Sequence, residues 1–405
     1  MLIFSLALRN VFRHRVRSTV ALGAIAFSTV VLMLAGGFVE WIFWAMREAA
    51  TETGLGHIQV MQAGYLENGA ADPYAFLLPD DSKILSSLEK EPHVKAVARR
   101  LNFSGLISYG DATLSFVGSG VEPSKEDIVS KSLPILDGAN LADGVPDGII
   151  LGAGLAGNLG VPVGGRVVLL VNTASGGVSA VEATVRGLFS TQVKAFDDVA
   201  LKVPLPMARR LLKVTGTHVW VFALDDLELA GPVARQWTAR YPDSKLEFRK
   251  WSDLADFYNK TVRLLSSQMG IVRLLIGLII VLGISNMLVM NVLERTGEVG
   301  TLMAMGARRL RIIQLFIGEG VLLGLVGGLI GLVVAWLLAI TISAIGIPMP
   351  PPPGRSVGYS AGIRLDWSLA GWAFGLAVGS ALLASLYPAW KASRLVVVDA
   401  LRQNR

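Results

Sequence analysis

Residues 294–331 read ERTGEVGTLMAMGARRLRIIQLFIGEGVLLGLVGGLIG, and this stretch decides the fold. A charged, glycine-punctuated segment stands here between two runs apolar enough to cross a bilayer. Glu294, Arg295, Glu298, Arg308, Arg309 and Arg311 bar its first half from hydrocarbon, where each charge costs several kcal/mol. Val299, Leu302, Met303 and Leu310 recur at roughly helical spacing, which suits a short amphipathic helix on a membrane face or against a partner. The arginines ahead of the next apolar run predict that this hinge is cytoplasmic.

Working outward, Leu274 to Leu293 precedes the hinge as an uncharged span, and Ile312 to Ile347 follows it, interrupted by Glu319. Pro348, Pro350, Pro351, Pro352 and Pro353 are expected to end that third span, because proline lacks the helical donor. Trp367 to Trp390 is the fourth, with tryptophan at both ends as interfacial anchors. Ser18 to Val39 is the first, long enough to cross about 30 Å of hydrocarbon and longer than the roughly 7–15 apolar residues of a signal peptide. From Arg47 to Ser266 no run approaches membrane length. Short strand-like segments (Gly56–Met61, Gly165–Val171, Val181–Arg186) alternate there with helical candidates at Lys83–Leu88, Pro206–Leu212 and Gly231–Arg240.

The expected fold is therefore a membrane protein of four transmembrane α-helices with a large α+β extracytoplasmic domain inserted between helices 1 and 2. Its parts are an amphipathic start and first helix (1–46), an outer domain of two subdomains (47–266) and a second helix (267–293). The coupling hinge (294–311), third helix (312–347), short outer loop (348–366), fourth helix (367–390) and cytoplasmic tail (391–405) complete the chain. The three proposed cytoplasmic segments hold twelve lysines and arginines against two in the short outer loop, which places both termini inside.

Composition agrees: 52% hydrophobic with 17% charged residues is too apolar for an ordinary soluble protein. The net charge of +6 collects beside the spans and forms no nucleic-acid stripe, so no nucleic-acid partner is expected. Cysteine is absent and the four histidines are scattered, which argues against metal sites and thiol chemistry. Gly152 to Gly157 matches G-x-G-x-x-G, better explained by a turn after a strand, and no lysine follows a glycine, so there is no P-loop. Asn102 and Asn259 begin glycosylation sequons too short to weigh. Gly320, Gly324 and Gly328, and again Gly371, Gly375 and Gly379, repeat every fourth residue and are read as helix-packing ridges, within the bundle or at a subunit interface. Glu319 is an intramembrane carboxylate near enough to the cytoplasmic side to reach water or one of the arginines at 308, 309 and 311, read as a structural ion pair or cap, with proton coupling as the alternative.

Arg295-x-x-Glu298-Val-Gly300-x-Leu302-x-Ala304-Met-Gly306-Ala307, with Ile313 and Glu319 behind it, resembles the FtsX-like (MacB/LolC-type) permeases of ABC transporters. The tail motifs Tyr387–Ala392 and Asp399–Arg402, the start Leu6–Asn10, and Gly56–Gln59, Ile150–Gly152, Val161–Gly164 and Asp197–Asp198 with Val203–Leu205 are also similar to that family. Met303, where the family often has a basic residue, and Val397, where it often has proline, depart from it. The resemblance implies mechanotransmission: closure of a cytoplasmic ABC ATPase dimer, which holds the ATP and magnesium, is relayed to the outer domains of this permease and a second copy or paralogue. It implies that Arg295, Glu298, Gly300, Leu302, Met305, Gly306 and Arg308 couple to the ATPase, and that no catalytic, metal or cofactor residue lies in this chain. In layout the chain resembles lipoprotein-releasing permeases more than macrolide exporters, which carry a fused ATPase. The implied substrate is a lipoprotein or other amphipath taken from the outer leaflet of the inner membrane, with a periplasmic carrier, an adaptor or an outer-membrane conduit left open as a further partner. A drug or peptide exporter with a separate ATPase, and a signalling subunit controlling a periplasmic partner, remain open.

Overall fold

A computed structural model describes residues 15–131, 133–191, 194–350 and 358–394. The amino-terminal Leu6–Asn10 motif, Pro351–Pro353, Val397 and the Asp399–Arg402 motif lie outside these residues. The chain divides into two compact units, residues 1–44, 261–348 and 360–405 in one, and residues 45–260 and 349–359 in the other.

Among the described residues, four helices are long and apolar enough to cross a membrane: Arg15–Ala50, Asp256–Glu294, Arg309–Ile345 and Trp367–Ser393. The second begins at Asp256, ahead of the apolar run, because Lys260, Arg263 and Arg273 are good helix formers and no proline interrupts them. The third ends at Ile345 and not at the proline cluster. Gly346, at φ +76°, turns the chain and donates its N–H to the Ile342 carbonyl, so the helix has stopped before Pro348. Pro348 itself lies in a three-residue strand, Ile347–Met349, paired with Tyr359–Ala361.

The third helix packs through two glycine ridges. A Cβ placed on Gly320 or Gly324 would come within 2.7 Å of Ser385 or Ala381, and one on Gly328 within 3.1 Å of Phe374, all on the fourth helix. Gly327 and Gly331 approach Ile25 and Thr29 on the first helix as closely. Backbones meet here because no side chain separates them, the interaction that replaces hydrophobic driving force in lipid. The fourth helix answers with Ala373, Ala377, Ala381 and Ser385, all buried. Its glycines do not take part: among the described residues a Cβ on Gly371, Gly375 or Gly379 meets nothing within 4 Å. The expected internal packing role for these three is thus corrected. Two small-residue repeats run along this helix, offset by two residues and so on nearly opposite faces. Period four marks a face without saying what it meets.

Among the described residues of the second unit, ten strands form one sheet: β1 (Ile58–Gln62), β2 (Val94–Tyr109), β3 (Ala112–Val121), β4 (Ile135–Gly138), β5 (Gly148–Gly152), β6 (Arg166–Asn172), β7 (Val178–Phe189), β8 (Ala200–Pro204), β9 (Val219–Leu224) and β10 (Leu246–Lys250). Their order is β10-β1-β9-β2-β3-β8-β5-β7-β4, with β6 bridging β2 and β7. The long strand β2 pairs along residues 94–100 with β9 and along 105–108 with β6, so it runs through two cores. One core gathers Val97, Trp220, Phe222 and Trp237; the other gathers Leu101, Phe103, Ile107 and Phe116. Two cores therefore share one continuous sheet.

Buried polar groups fix this unit. Glu126, on the short helix Pro123–Val129, accepts bonds from Arg100 Nη2 at 2.9 Å, Lys202 Nζ at 2.9 Å and Ser130 Oγ at 3.0 Å. Burial raises its pKa, but Arg100 and Lys202 outweigh that and hold it at about 2. His218 is held neutral by burial: its Nδ1 accepts from the Asn102 N–H at 3.1 Å and its Nε2 lies 2.9 Å from the Pro73 carbonyl. The G-x-G-x-x-G segment opens the helix Ala153–Leu159 directly after β5, where a turn was expected. A Cβ on Gly152 would lie 2.2 Å from the Asp197 carbonyl, so close approach to that backbone, with no phosphate involved, accounts for the glycine.

Candidate functional site: the hinge between the second and third spans

The second long helix stops at Glu294. Arg295 leaves helical geometry at φ −101°, ψ 18°, and Thr296 Oγ1 turns back to the Val292 and Leu293 carbonyls at 3.1 and 2.7 Å. That bond gives the freed carbonyls a partner while the chain bends. A nine-residue helix, Thr296–Ala304, follows. Gly306, at φ +92°, closes it, with Gly306 and Ala307 donating to the Met303 and Leu302 carbonyls at 3.0 Å. This is a helix C-terminus of the left-handed kind that glycine favours. Arg308, extended at ψ 144°, starts the third long helix.

The hinge helix is pinned to the spans from both sides. Val299 is buried with Val292, Ile312, Phe316, Ala389 and Ala392, drawn from the second, third and fourth long helices. Beside it the Arg295 guanidinium, 8% exposed, bridges two carboxylates. Its Nε donates to Glu298 Oε2 and its Nη1 to Glu319 Oε1, both at 2.9 Å. Glu319 is 2% exposed and also receives Asn291 Nδ2 at 3.4 Å. An ionised side chain this deep in a span needs a charged, hydrogen-bonded partner, and the planar guanidinium serves two at once.

The expected partner of Glu319 is corrected by this geometry. It is Arg295, one helix back, and not Arg308, Arg309 or Arg311, which are all exposed. Those three stand at the start of a helix, where the macrodipole disfavours cations and no acid accompanies them. Of the seven residues implied to couple, Arg295 and Gly300 are buried within the chain and position the hinge. Glu298, Leu302, Met305, Gly306 and Arg308 are exposed; Met305 is 72% open, and Leu302 and Leu310 are exposed apolar side chains as well. Asn291 escaped the sequence reading, although an amide inside an apolar run four residues before Arg295 is a legible signal. Its Oδ1 is buried with no hydrogen-bond partner among the described residues.

Four candidate spans, a β-rich domain inserted after the first and a pinned amphipathic hinge between the second and third define a multi-pass membrane protein of permease type. Residues 18–239 match the MacB-like periplasmic core domain and residues 270–397 the FtsX-like permease C-terminal domain. The chain belongs to this family. It is 26% identical over 337 residues to the lipoprotein-releasing system transmembrane protein LolE of Haemophilus influenzae, covering 78% of this chain and 79% of that one. To LolC of the same system in Xylella fastidiosa it is 27% identical over 333 residues, 77% and 78% of the two chains. To the macrolide export ATP-binding/permease protein MacB of Acinetobacter baylyi it is 26% identical over 355 residues, 82% of this chain but 50% of that one. The chain is thus an ABC transporter permease of the LolC/LolE and MacB type, a multi-pass protein of a bacterial inner membrane, and not itself an enzyme.

Proposed function

We propose that this permease relays ATP-driven closure of a separate cytoplasmic ABC ATPase dimer to its periplasmic domain, releasing a lipoprotein or similar amphipath from the outer leaflet. ATP and magnesium belong to that partner. The observation that carries the reading is the pinned hinge. Leu302 and Met305 present apolar side chains outward from a helix whose other face is tied by Arg295 to Glu319 in the third span. A push on the exposed face meets a rigid attachment, which is what a lever requires. Arg308, Arg309 and Arg311 give the same surface a positive charge that suits an acidic partner or anionic lipid. The hinge and both termini then face the cytoplasm. A second permease copy or paralogue fits the second helix, whose apolar window is 17% buried against 39% for each of the others, leaving Leu274, Leu278 and Leu282 exposed.

The lipoprotein substrate is favoured by similarity to LolE and LolC over more than three quarters of both chains. Export of a drug or peptide is favoured by the similarity to MacB. One experiment separates them. Spheroplasts expressing the permease with its neighbouring ATPase are assayed for release of a lipid-anchored reporter and for efflux of a macrolide. Release without efflux is the expected result, and efflux without release would overturn the lipoprotein reading. Met305→Glu, at an exposed position, should leave the assembled protein folded and lower both release and stimulated ATP hydrolysis. Unchanged rates would remove the hinge from the coupling path.

A further inference from the structure

At the end of the span unit away from the hinge, the loop from Ser360 to Leu365 is docked onto the first and third long helices. Ser343 Oγ accepts from the Ile363 N–H at 2.9 Å and donates to its carbonyl at 3.2 Å, while the Arg364 N–H donates to the Gly37 carbonyl at 3.0 Å. Gly37 permits this approach, since a Cβ there would lie 2.7 Å from Ile363 Cγ2 and 2.8 Å from Leu365 Cδ2. The loop is therefore held at both of its sides. Between it and the helices lies a cavity of about 420 Å³, lined chiefly by Trp41, Trp44, Ser343, Ser360, Ile363 and Arg364.

The lining is chemically specific. The Arg364 guanidinium stacks over the Trp44 ring with its carbon 5.3 Å from the centroid, which fixes the cation without neutralising it. Among the described residues no carboxylate ion pair engages it. Asp366, just past the loop, feels the Arg364 charge but makes its hydrogen bonds at the start of the fourth helix, accepting from the Trp367 N–H at 2.8 Å and from Ser368 Oγ at 2.7 Å. Ser360 adds an exposed hydroxyl. Trp41 and Trp44 fall just past the apolar run of the first helix, and Ser343 at the last turn of the third, so the cavity sits at headgroup level. A cation, a hydroxyl and two indoles at that depth match a phosphate with acyl carbons beside it.

We propose that this pocket binds the phosphate of a phospholipid headgroup, with anionic phosphatidylglycerol preferred over zwitterionic phosphatidylethanolamine because Arg364 attracts a net negative headgroup. The proposal rests on the membrane reading of the spans and not on the identity of the transported substrate.

The test is native mass spectrometry of the purified full-length chain released from micelles containing equal amounts of the two lipids. Phosphatidylglycerol is expected to be retained by the wild type and reduced about fivefold in Arg364→Gln, one arginine's worth of attraction to an anionic headgroup. Ser360→Asp, which sets a negative charge in the mouth at an exposed position, should reduce it similarly and keeps the test available if the arginine variant does not fold. Arg394 stacks on Trp390 at 4.4 Å at the other end of the fourth helix and is the control. Equal losses in Arg364→Gln and Arg394→Gln would mean general surface attraction and overturn the site. Retention unchanged in Ser360→Asp and Arg364→Gln would also overturn it. Displacement of the lipid by millimolar inorganic phosphate would assign the pocket to free phosphate and overturn the lipid assignment.

Discussion

Replacing Arg295 by methionine tests the hinge attachment directly. The side chain keeps much of its volume but loses the guanidinium that bridges Glu298 and Glu319 at 2.9 Å each. Glu298 is 44% exposed as a side chain, so its share is that of a surface pair, about 0.2–1 kcal/mol. Glu319 is 3% exposed as a side chain, and stripping a buried carboxylate of its cation costs about 3–5 kcal/mol. The expected loss for Arg295→Met is dominated by Glu319. Glu298→Gln should be nearly silent for stability. The double variant Arg295→Met/Glu319→Met removes both charges and should recover most of the loss, because apolar replacement of a whole buried pair is often neutral. The assay is denaturant unfolding of the purified chain in micelles, followed by the cysteine-free protein's tryptophan fluorescence. A coupling between the two sites of roughly 2–3 kcal/mol is expected. If the double variant is as unstable as the sum of the singles, within about 0.5 kcal/mol, the ion pair is not what holds the hinge to the third span.

Four further outcomes follow from the geometry. Gly306→Val forces a β-branched residue to φ +92° and should cost about 1–3 kcal/mol, read as a lower thermal midpoint; an unchanged midpoint would mean the turn is not left-handed in the protein. Gly324→Leu should prevent bundle assembly because its Cβ meets Ala381, whereas Gly375→Leu should leave a purified single chain as stable as wild type; loss of activity in a stable Gly375→Leu protein would assign that face to another chain. His218 titrates below its ordinary 6.5 and Glu126 at about 2 against 4.5, so both contribute stability at pH 7 that is lost on acidification, from below 6.5 for the histidine and between 4.5 and 2 for the glutamate. His218→Phe should flatten the first part of that curve, and an unaltered slope as the pH falls below 6.5 would put the titrating group elsewhere. A cysteine at Ser124 should react with an impermeant reagent in intact cells and one at Ala307 should not; the reverse pattern would invert the proposed topology.

The spans and the hinge were legible because lipid imposes length and charge rules that a sequence states openly. An uncharged run from Leu274 to Leu293 and an arginine cluster at 308–311 need no tertiary information to read. Partners across the bundle are another matter. Glu319 announced that it needed a cation, and the three arginines nearest in sequence, at 308, 309 and 311, were the candidates, with Arg295 farther back. Only helix rotation decides among them: Glu319 shares a buried side of its helix with Phe316 and Gly320, and this side faces the residue where the second helix ends. Arg308, Arg309 and Arg311 are nearer in sequence but sit at the turn's exposed rim. The glycine repeats teach the same lesson from the opposite direction. Gly324 and Gly375 carry identical spacing, yet the first meets a neighbouring backbone and the second meets none among the described residues, because the alanine face of the fourth helix already satisfies the third. Spacing encodes which residues share a face, whereas the pairing of faces is settled by the competition among all four helices at once. For the coupling proposal this distinction matters. The outward residues Leu302 and Met305 follow from helical periodicity alone, but the tie that makes the hinge helix a lever is a bond between residues 295 and 319, and only packing reveals it.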